Sequence, residues 1–418
     1  MTASLNGQRR AEWGRQDVSR QGRERPGGPA GDGLYAALDL GTNNCRLLVA
    51  RPAQDGFRVV DAFSRIVRLG EGLSASGRLS GPAMARTLEA LKVCAGKIRR
   101  RGVTRVRAVA TEACRRAANC EDFLEQVRRQ TGIELEIISQ NEEAALAVCG
   151  CAPLIDPEIP DILLFDIGGG STEICWLKAT PQESNGRHPG LRPAAELSLY
   201  AWASIPIGVI TLSERYGPER HGAPRQGTGE ISAEAYQAMV TEMAAAVAVF
   251  DARHQVSASV AGGPVQMLGT SGTVTTLAGV HKDLPRYDRA RVDGTYLDME
   301  TVRRICGQIV GMSGAERAAH PCIGPQRADL VIAGCAILTA LCRLWPAERL
   351  RVADRGLREG MLYAMIHGIS APEGRWSERG PETPRESAGE PAGDPAVDPA
   401  VDPAVDRGAA SASRPDAG

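Results

Sequence analysis

The sequence lacks several features that would assign a protein to a common functional class. No run of about 18 apolar residues occurs, so we expect no membrane-spanning helix and no membrane partner. The N-terminal segment contains arginines but not the apolar core of a secretory signal, and we therefore expect a cytoplasmic protein. The formal net charge is −1, which argues against binding of nucleic acid through bulk positive charge.

Histidine-based and nucleotide-binding patterns are also missing. The six histidines form no His-Asp dyad, no H-x-H and no H-E-x-x-H pair, which argues against a histidine-based metal centre. Neither a G-x-G-x-x-G fingerprint between a strand and a helix nor a G-K-[ST] phosphate loop occurs. The 11 cysteines are odd in number and scattered, and they predict reduced thiols rather than a disulfide framework.

Both ends of the chain have the composition of disordered tails. Residues 1–33 are rich in Arg, Gly, Gln and Pro, and residues 371–418 carry three tandem copies of Asp-Pro-Ala-Val. Proline at every fourth position of those copies forbids a helix or a strand ladder, and neither end has much to bury. We therefore expect an ordered part of two domains, residues 34–155 and 156–370.

Between the tails, hydrophobic runs predict an α/β fold in which one pattern occurs twice. The runs Tyr35–Leu40 and Cys45–Ala50 flank a polar turn with glycine, and Asp161–Ile167 and Glu173–Lys178 flank a second one. Each pair of runs predicts a β-hairpin, and helical periodicity follows each of them. Such an internal repeat implies two similar halves with a cleft between them.

Three loops with glycine occupy equivalent strand ends and are candidates for phosphate binding. A glycine turn lets backbone N–H groups converge on an anion, and hydroxyl or amide side chains add further donors. A single turn of this kind is often only a tight hairpin, whereas three in symmetric positions favour a binding site. The loop residues are Gly41, Thr42, Asn43, Asn44, Gly168, Gly169, Gly170, Ser171, Thr172, Gly269, Thr270, Ser271, Gly272 and Thr273.

Acidic residues beside these loops predict a divalent cation. Asp39 and Asp166 end the first strand of each half, and Glu173 follows the second loop. Carboxylates would repel a phosphate substrate unless a cation lay between them, and Mg²⁺ binds one or two carboxylates together with water and phosphate oxygens. We assign Asp166 and Glu173 to the metal, with Asp39 as a further candidate. The alternative for Asp166 is a carboxylate that caps its own turn.

Two pairs of charged residues each have two interpretations on the residues alone. Glu142 and Glu143 follow Asn141, the expected N-cap of a helix, and compensation of the helix dipole would account for both. Arg115 and Arg116 follow a strand and form either a solvated basic patch or a bidentate grip on phosphate.

Six segments, taken together and in this order, resemble the exopolyphosphatase/guanosine pentaphosphate phosphatase (Ppx/GppA) family. The resemblance covers about residues 34–368. The glycine motif alone would suit other actin-like proteins, but NEEA ahead of it would not. The segments are YAALDLGTNNCRLLVA, ATEACRRAAN, IELEIISQNEEA, LLFDIGGGSTE, LGTSGT and ADRGLREG.

The resemblance implies a fold, a reaction and residue roles. The fold is two actin-like (ribonuclease H-like) domains with the active site in the cleft. The reaction is hydrolysis of a terminal phosphoanhydride bond, with inorganic polyphosphate as the expected substrate and Mg²⁺ as the cofactor. Glu143 becomes the base for water, Arg115 and the three loops bind phosphate, and Asp166 and Glu173 fall on the metal site.

Several alternatives remain beside the exopolyphosphatase interpretation. Guanosine pentaphosphate is a second substrate class, and a nucleotide- or alarmone-binding module with little turnover is a third hypothesis. An actin-like sugar kinase is disfavoured, because a kinase should avoid a base for water. No nucleic-acid partner is expected, and a homodimer is kept open.

The sequence departs from the family pattern at several points. Ala145 stands where most members have an arginine, so we expect one basic contact to the substrate to be missing there, with Arg115 or Arg116 in its place. The first loop reads GTNN where GSNS is usual, so Asn44 replaces a serine. Long members carry a further C-terminal HD-type domain, but this sequence has no His-Asp dyad, so we expect a short form with two domains.

Overall fold

The computed structural model describes residues 33–54, 56–181, 195–217 and 231–368, whose strands form two mixed sheets. Apart from Gly33, the predicted tails lie outside the described residues. The division of the chain after residue 155 stays a prediction. Within the described ranges, no helix is both long enough and apolar enough to cross a bilayer.

The first sheet contains five strands. They are β1 (Tyr35–Leu40), β2 (Asn44–Ala53), β3 (Gly56–Ile66), β4 (Arg105–Ala110) and β5 (Glu136–Ile137), in the spatial order β3-β2-β1-β4-β5. The accompanying helices are α1 (Leu73–Ser76), α2 (Gly81–Arg101), α3 (Glu112–Arg116), α4 (Cys120–Thr131) and α5 (Gln140–Cys151), followed by a 3₁₀ turn at Ala152–Leu154.

The second sheet contains six strands. They are β6 (Asp161–Ile167), β7 (Thr172–Pro181), β8 (Ala195–Ile205), β9 (Val265–Thr270), β10 (Tyr296–Asp298) and β11 (Arg349–Ala353), in the order β10-β11-β9-β6-β7-β8. The helices are α6 (Val209–Tyr216), α7 (Ala233–His254), α8 (Val256–Gly262), α9 (Gly272–His281), α10 (Arg289–Val292), α11 (Met299–Gly311), α12 (Gly314–Ala319), α13 (Val331–Leu344) and α14 (Leu357–His367).

The predicted internal repeat is present in the pairing of the strands. β1 pairs antiparallel with β2 and parallel with β4, and β6 pairs antiparallel with β7 and parallel with β9. Asp39 therefore lies opposite Val109 of β4, and Asp166 lies opposite Thr270 of β9. The two aspartates occupy the same position in the two sheets.

Strand alternation places both aspartates on the faces that flank the cleft. The even-numbered residues of β1 pack beneath α2 and α4, so its odd-numbered side chains, including Asp39, lie on the opposite face. In β6 the odd-numbered residues pack against α7 and α13, so Asp166 lies on the other face. Helix α5 packs on both of these faces, through Leu146 on the first sheet and Val148 on the second.

The N-cap of α5 differs from the prediction. Asn141 was expected to cap the helix, but the helix begins at Gln140 and Ser139 is its N-cap. Ser139 has an extended backbone, and its Oγ accepts a hydrogen bond from the Glu142 N–H at 3.1 Å. Because a cap satisfies the N–H two or three residues later, a serine at this position performs the role and places Asn141 inside the first turn.

Helices α5 and α14 cross in backbone contact, although they are far apart in the sequence. A Cβ added at Gly150 would lie 2.0 Å from the carbonyl oxygen of Gly356, and one added at Gly360 would lie 2.0 Å from that of Leu146. Helix α14 also packs on β1 through Met361. The crossing therefore fixes α5, which carries Glu143, against α14.

We expect Gly150→Ala and Gly360→Ala each to lower the free energy of unfolding by about 1–3 kcal/mol, since overpacking would push the two helices apart. Gly307→Ala on α11 is the matched control, because a Cβ there meets nothing within 4 Å. Since alanine suits a helix interior better than glycine, Gly307→Ala should instead raise the free energy of unfolding by about 0.5–1 kcal/mol. Chemical denaturation measures all three, and a similar gain for the first two variants would contradict the close contact.

Candidate functional site

A cleft of about 470 Å³ opens where the loops after β1, β6 and β9 converge. Residues from both sheets line it, and most of the predicted site residues are among them. These are Asp39, Gly41, Thr42, Asn43, Asn44, Glu143, Asp166, Gly168, Gly169, Gly170, Ser171, Glu173, Thr270, Ser271, Gly272 and Thr273.

The first two glycine loops are closed by the same backbone hydrogen bond, and the two loops contact each other. The N–H of Gly41 donates to the carbonyl oxygen of Asn44 at 2.9 Å, and that of Gly168 donates to Ser171 at the same distance. A Cβ added at Gly169 would lie 3.1 Å from the backbone nitrogen of Asn43. Glycine is therefore what allows the loops of the two halves to approach so closely.

The third loop ends at the start of a helix. Ser271 is the N-cap of α9, and its Oγ accepts hydrogen bonds from the N–H groups of Thr273 and Val274, both at 3.1 Å. Its φ of 150° is unusual for a residue with a side chain. Because the N-terminus of a helix favours negative charge, this loop brings an anion-binding end into the cleft.

Three predicted phosphate-binding residues do not line the cleft. Thr172 is buried, and its Oγ1 donates to the carbonyl oxygen of Ile207 at 2.7 Å. Gly269 lies within β9, where a Cβ would come 2.7 Å from the ring of Phe165. Arg115 is held by other side chains. Thr172 and Gly269 support the loops from behind.

The carboxylates of the cleft are crowded. Burial raises the pKa of Asp39, and burial together with the charge of Glu173 raises the pKa of Asp166 to about 7. Burial also raises the pKa of Glu173, although the hydroxyls of Ser171 and Ser204 donate to its Oε1 at 2.6 and 2.9 Å. The site therefore concentrates negative charge that a cation could offset.

Asp166 and Glu173 fit the predicted magnesium ion. They lie directly opposite each other on β6 and β7, so their side chains share one face. Nowhere in the described ranges do three or more His, Cys, Asp or Glu side chains form a complete metal site. Mg²⁺ does not need one, since it binds through one or two carboxylates with water and phosphate oxygens.

The two glutamates at the start of α5 diverge. Glu143 lines the cleft, and its Oε2 lies 2.8 Å from Nη1 of Arg115. Glu142 instead forms an ion pair with Arg107 of β4 and leaves the cleft. Burial and the charge of Glu173 raise the pKa of Glu143, while Arg115 acts against that rise. The two glutamates therefore do not share one role, and compensation of the helix dipole does not account for both.

Arg115 is committed to protein partners. Its Nη1 donates to the carbonyl oxygen of Ile138 at 2.9 Å, and its Nε and Nη2 donate to Oε2 of Glu112 at 3.2 and 3.0 Å. Glu112 is buried and lines the cleft, yet it was not predicted. In this arrangement Arg115 orients Glu143, and the predicted grip on phosphate would require it to leave these partners.

The basic wall of the cleft comes from arginines that the sequence analysis did not assign. Arg46, Arg327 and Arg358 line the cleft, as do Arg289 and Arg355. Burial lowers the pKa of Arg327 and of Arg358, and the charge of Arg46 lowers both further. Arg46 therefore repels both of the other two guanidinium groups, and positive charge concentrated in a partly buried cleft favours an anionic ligand.

One of these arginines carried a signal in the sequence. Asn44, Arg46 and Leu48 alternate along β2 and all line the cleft, so the period of a strand would have placed Arg46 beside the first loop. Arg327 and Arg358 come from segments that precede α13 and begin α14. Arg358 lies in the segment ADRGLREG that carries the family resemblance, but its approach to the cleft, like that of Arg327, depends on the tertiary fold.

Comparison with known proteins gives the family. The model of the Ppx/GppA phosphatase family matches residues 48–368. The chain belongs to this family. The predicted resemblance is confirmed.

Similar proteins extend the match over most of the chain. Exopolyphosphatase 2 of Mycobacterium tuberculosis is 29% identical over 347 residues, which cover 79% of this chain and 98% of that protein. The Ppx/GppA family member of Aquifex aeolicus has a TM-score of 0.59 at 27% identity, over 80% of this chain and 97% of its own. An exopolyphosphatase from Cytophaga hutchinsonii has a TM-score of 0.67 at 23% identity, over 81% and 99%, and shows the fold alone. The predicted class, two actin-like halves with a cleft, is confirmed.

Proposed function

We propose that the protein is an exopolyphosphatase, a hydrolase that releases the terminal phosphate of inorganic polyphosphate. The observation that carries the proposal is the position of Glu143, which lines the cleft beside the glycine loops while Glu142 turns away. The relative from Mycobacterium tuberculosis, which matches over nearly its full length, bears the name exopolyphosphatase.

The loops and arginines would bind the substrate in two parts. Backbone N–H groups at positions 42–44 and 169–171 of the first two loops, with the start of α9, would hold the terminal phosphate. Arg46, Arg327 and Arg358 line the same cleft and would neutralise the phosphates that follow in the chain. A polymer with one negative charge or more at each unit matches a wall of several guanidinium groups.

Glu143 would accept a proton from the attacking water. Burial and the charge of Glu173 raise the pKa of its carboxyl, which makes the carboxylate a stronger proton acceptor, while the ion pair with Arg115 acts against the rise. Glu112 binds the other side of Arg115 and thereby fixes the direction of the guanidinium group. Burial of Glu143 limits competing hydrogen bonds from solvent.

Asp166 and Glu173, with Asp39 nearby, would hold the magnesium ion. When bound, Mg²⁺ would offset the negative charge on the phosphoanhydride oxygens. The serines that donate to Glu173 would keep its carboxylate turned toward the cleft.

Three further points accompany this proposal: the compartment, the alternative substrate and the oligomeric state. We propose the cytoplasm as its compartment, because all 11 cysteines are free thiols, as a reducing environment requires. Guanosine pentaphosphate stays the alternative substrate, and the homodimer stays a prediction.

A matched pair of substitutions tests the role of Glu143. Glu143→Gln should keep the fold and lower the turnover of polyphosphate by about 10²–10⁴-fold, the usual effect of a lost general base. Glu142→Gln should change turnover little, because it removes only a half-exposed ion pair with Arg107. Phosphate release from long-chain polyphosphate measures both, and equal small losses would contradict the assignment of the base.

Asp166→Asn tests the magnesium site. Chelator should abolish phosphate release by the wild type, and Mg²⁺ should restore it. The substitution removes one ligand charge, so the affinity for Mg²⁺ measured by calorimetry should fall together with the rate. Asp161→Asn is the control, since Asp161 lies at the other end of β6 and pairs with Lys178. Undiminished Mg²⁺ binding by Asp166→Asn would remove Asp166 from the site.

A further inference from the structure

A short segment after β3 supports the first glycine loop from behind. We call residues 67–72 the strap. The N–H groups of Val67 and Arg68 donate to the carbonyl oxygen of Asn43 at 2.8 and 3.0 Å, and that of Gly70 donates to Thr42 at 3.0 Å. The position of the first loop is therefore set by the position of the strap.

The strap is itself held in an unusual conformation. Arg86 of α2 donates through Nε to the carbonyl oxygen of Val67 at 3.1 Å and through Nη2 to Glu71 at 2.6 Å. Arg68 has a φ of 47°, in the left-handed region that residues with a side chain rarely adopt. Strain of this kind persists where the surrounding structure fixes it, and it is concentrated at functional sites. Here it directs the side chain of Arg68 toward the other half.

Two contacts join the strap to the second half of the molecule. Arg68 forms a two-point ion pair with Asp329, with Nη1–Oδ2 at 2.8 Å and Nη2–Oδ1 at 2.9 Å, and Nη2 also donates to the carbonyl oxygen of Gln326 at 3.1 Å. The N–H of Gly72 donates to Oε1 of Glu214 at 2.7 Å. We call this pair of contacts the clasp.

The clasp reaches the second glycine loop through α6. Glu214 lies on α6, whose first N–H groups bind that loop: Val209 donates to Gly168 at 3.0 Å and Ile210 to Gly169 at 2.8 Å. A shift of α6 would therefore shift the loop.

The clasp also reaches the basic wall. Asp329 lies two residues after Arg327, which lines the cleft. The hydroxyl of Ser213 on α6 donates to the carbonyl oxygen of Asp329 at 3.4 Å, so both contacts of the clasp end on connected elements. One set of contacts thus joins the first loop, the second loop and Arg327.

We propose that Arg68 and Asp329 are positioning residues that hold the two halves at the separation needed to bind and cleave the phosphate chain. The inference rests on the proposed function, because it concerns the geometry of the same cleft. Side-chain exposure is 30% for Arg68 and 51% for Asp329. Exposed ion pairs contribute little to global stability, so the effect of this pair should appear in the geometry of the cleft rather than in the melting temperature.

The test compares Arg68→Met, Asp329→Asn and the double variant with the wild type. Hydrogen exchange of the peptide that contains residues 67–72 should be faster in all three, since the strap loses the side-chain contact that joins it to the second half and should open more often. The value of kcat/KM for polyphosphate should fall about tenfold, and the double variant should be no worse than either single one, as expected for one shared contact. The melting temperature should change by no more than about 2 °C.

The control is another exposed ion pair, which lies outside the cleft and within one helix. Lys92 and Glu89 form an exposed ion pair of 2.8 Å on α2, and Lys92→Met and Glu89→Gln should leave both exchange and kcat/KM unchanged. Wild-type exchange in Arg68→Met and Asp329→Asn would overturn the proposal. Faster exchange with unchanged kcat/KM would overturn it as well, since the clasp would then position nothing.

A failure of the proposed function gives a different result. If the wild type releases no phosphate from polyphosphate, the exchange measurement still decides whether the clasp holds the strap. Adding polyphosphate should slow exchange of residues 67–72 in the wild type more than in Arg68→Met, and this comparison reads binding without turnover. Measurable and equal protection in the two proteins would overturn the positioning role, whereas no protection in the wild type would count against polyphosphate as the ligand.

Discussion

Backbone contact between two glycine turns is the constraint on which the rest of the structure depends. A Cβ added at Gly169 would lie 3.1 Å from the backbone nitrogen of Asn43, so a side chain there would push the loops of the two halves apart. The halves must therefore keep a fixed separation at the base of the cleft. The close crossing of α5 with α14, at Gly150 and Gly360, provides this separation on the inner side. The contact between Arg68 and Asp329 adds a bridge nearer the surface.

The approach of the loops also creates the electrostatic character of the cleft. Because β1 and β6 occupy equivalent positions, their terminal aspartates are brought into one space, where the charge of Asp39 contributes to the raised pKa of Asp166. Arginines from three separate segments lie in the same cleft, and Arg46 is the direct cross-strand partner of Asp39. A phosphate chain with a divalent cation would complement both sets of charges, since the cation suits the carboxylates and the phosphates suit the guanidinium groups.

Much of this arrangement was predictable because its signals are local. A glycine turn between two apolar runs predicts a hairpin, and the repetition of that pattern predicts two halves, both of which the structure contains. The roles of Glu142 and Glu143 were not separable locally, because adjacent residues on a helix differ only in direction. Only the partner on β4, Arg107, shows which of them leaves the cleft. The roles of Arg327 and Arg358 were not predicted, because their approach to the cleft depends on contacts between distant segments.

The measurement that tests the central claim most directly is the initial rate of orthophosphate release by the wild-type protein with Mg²⁺. Long-chain polyphosphate and guanosine pentaphosphate would be compared at equal concentrations of terminal phosphate. The account predicts faster release from polyphosphate, because Arg46, Arg327 and Arg358 line the cleft and suit a chain of successive phosphates. Faster release from guanosine pentaphosphate, or no release from either compound, would contradict it.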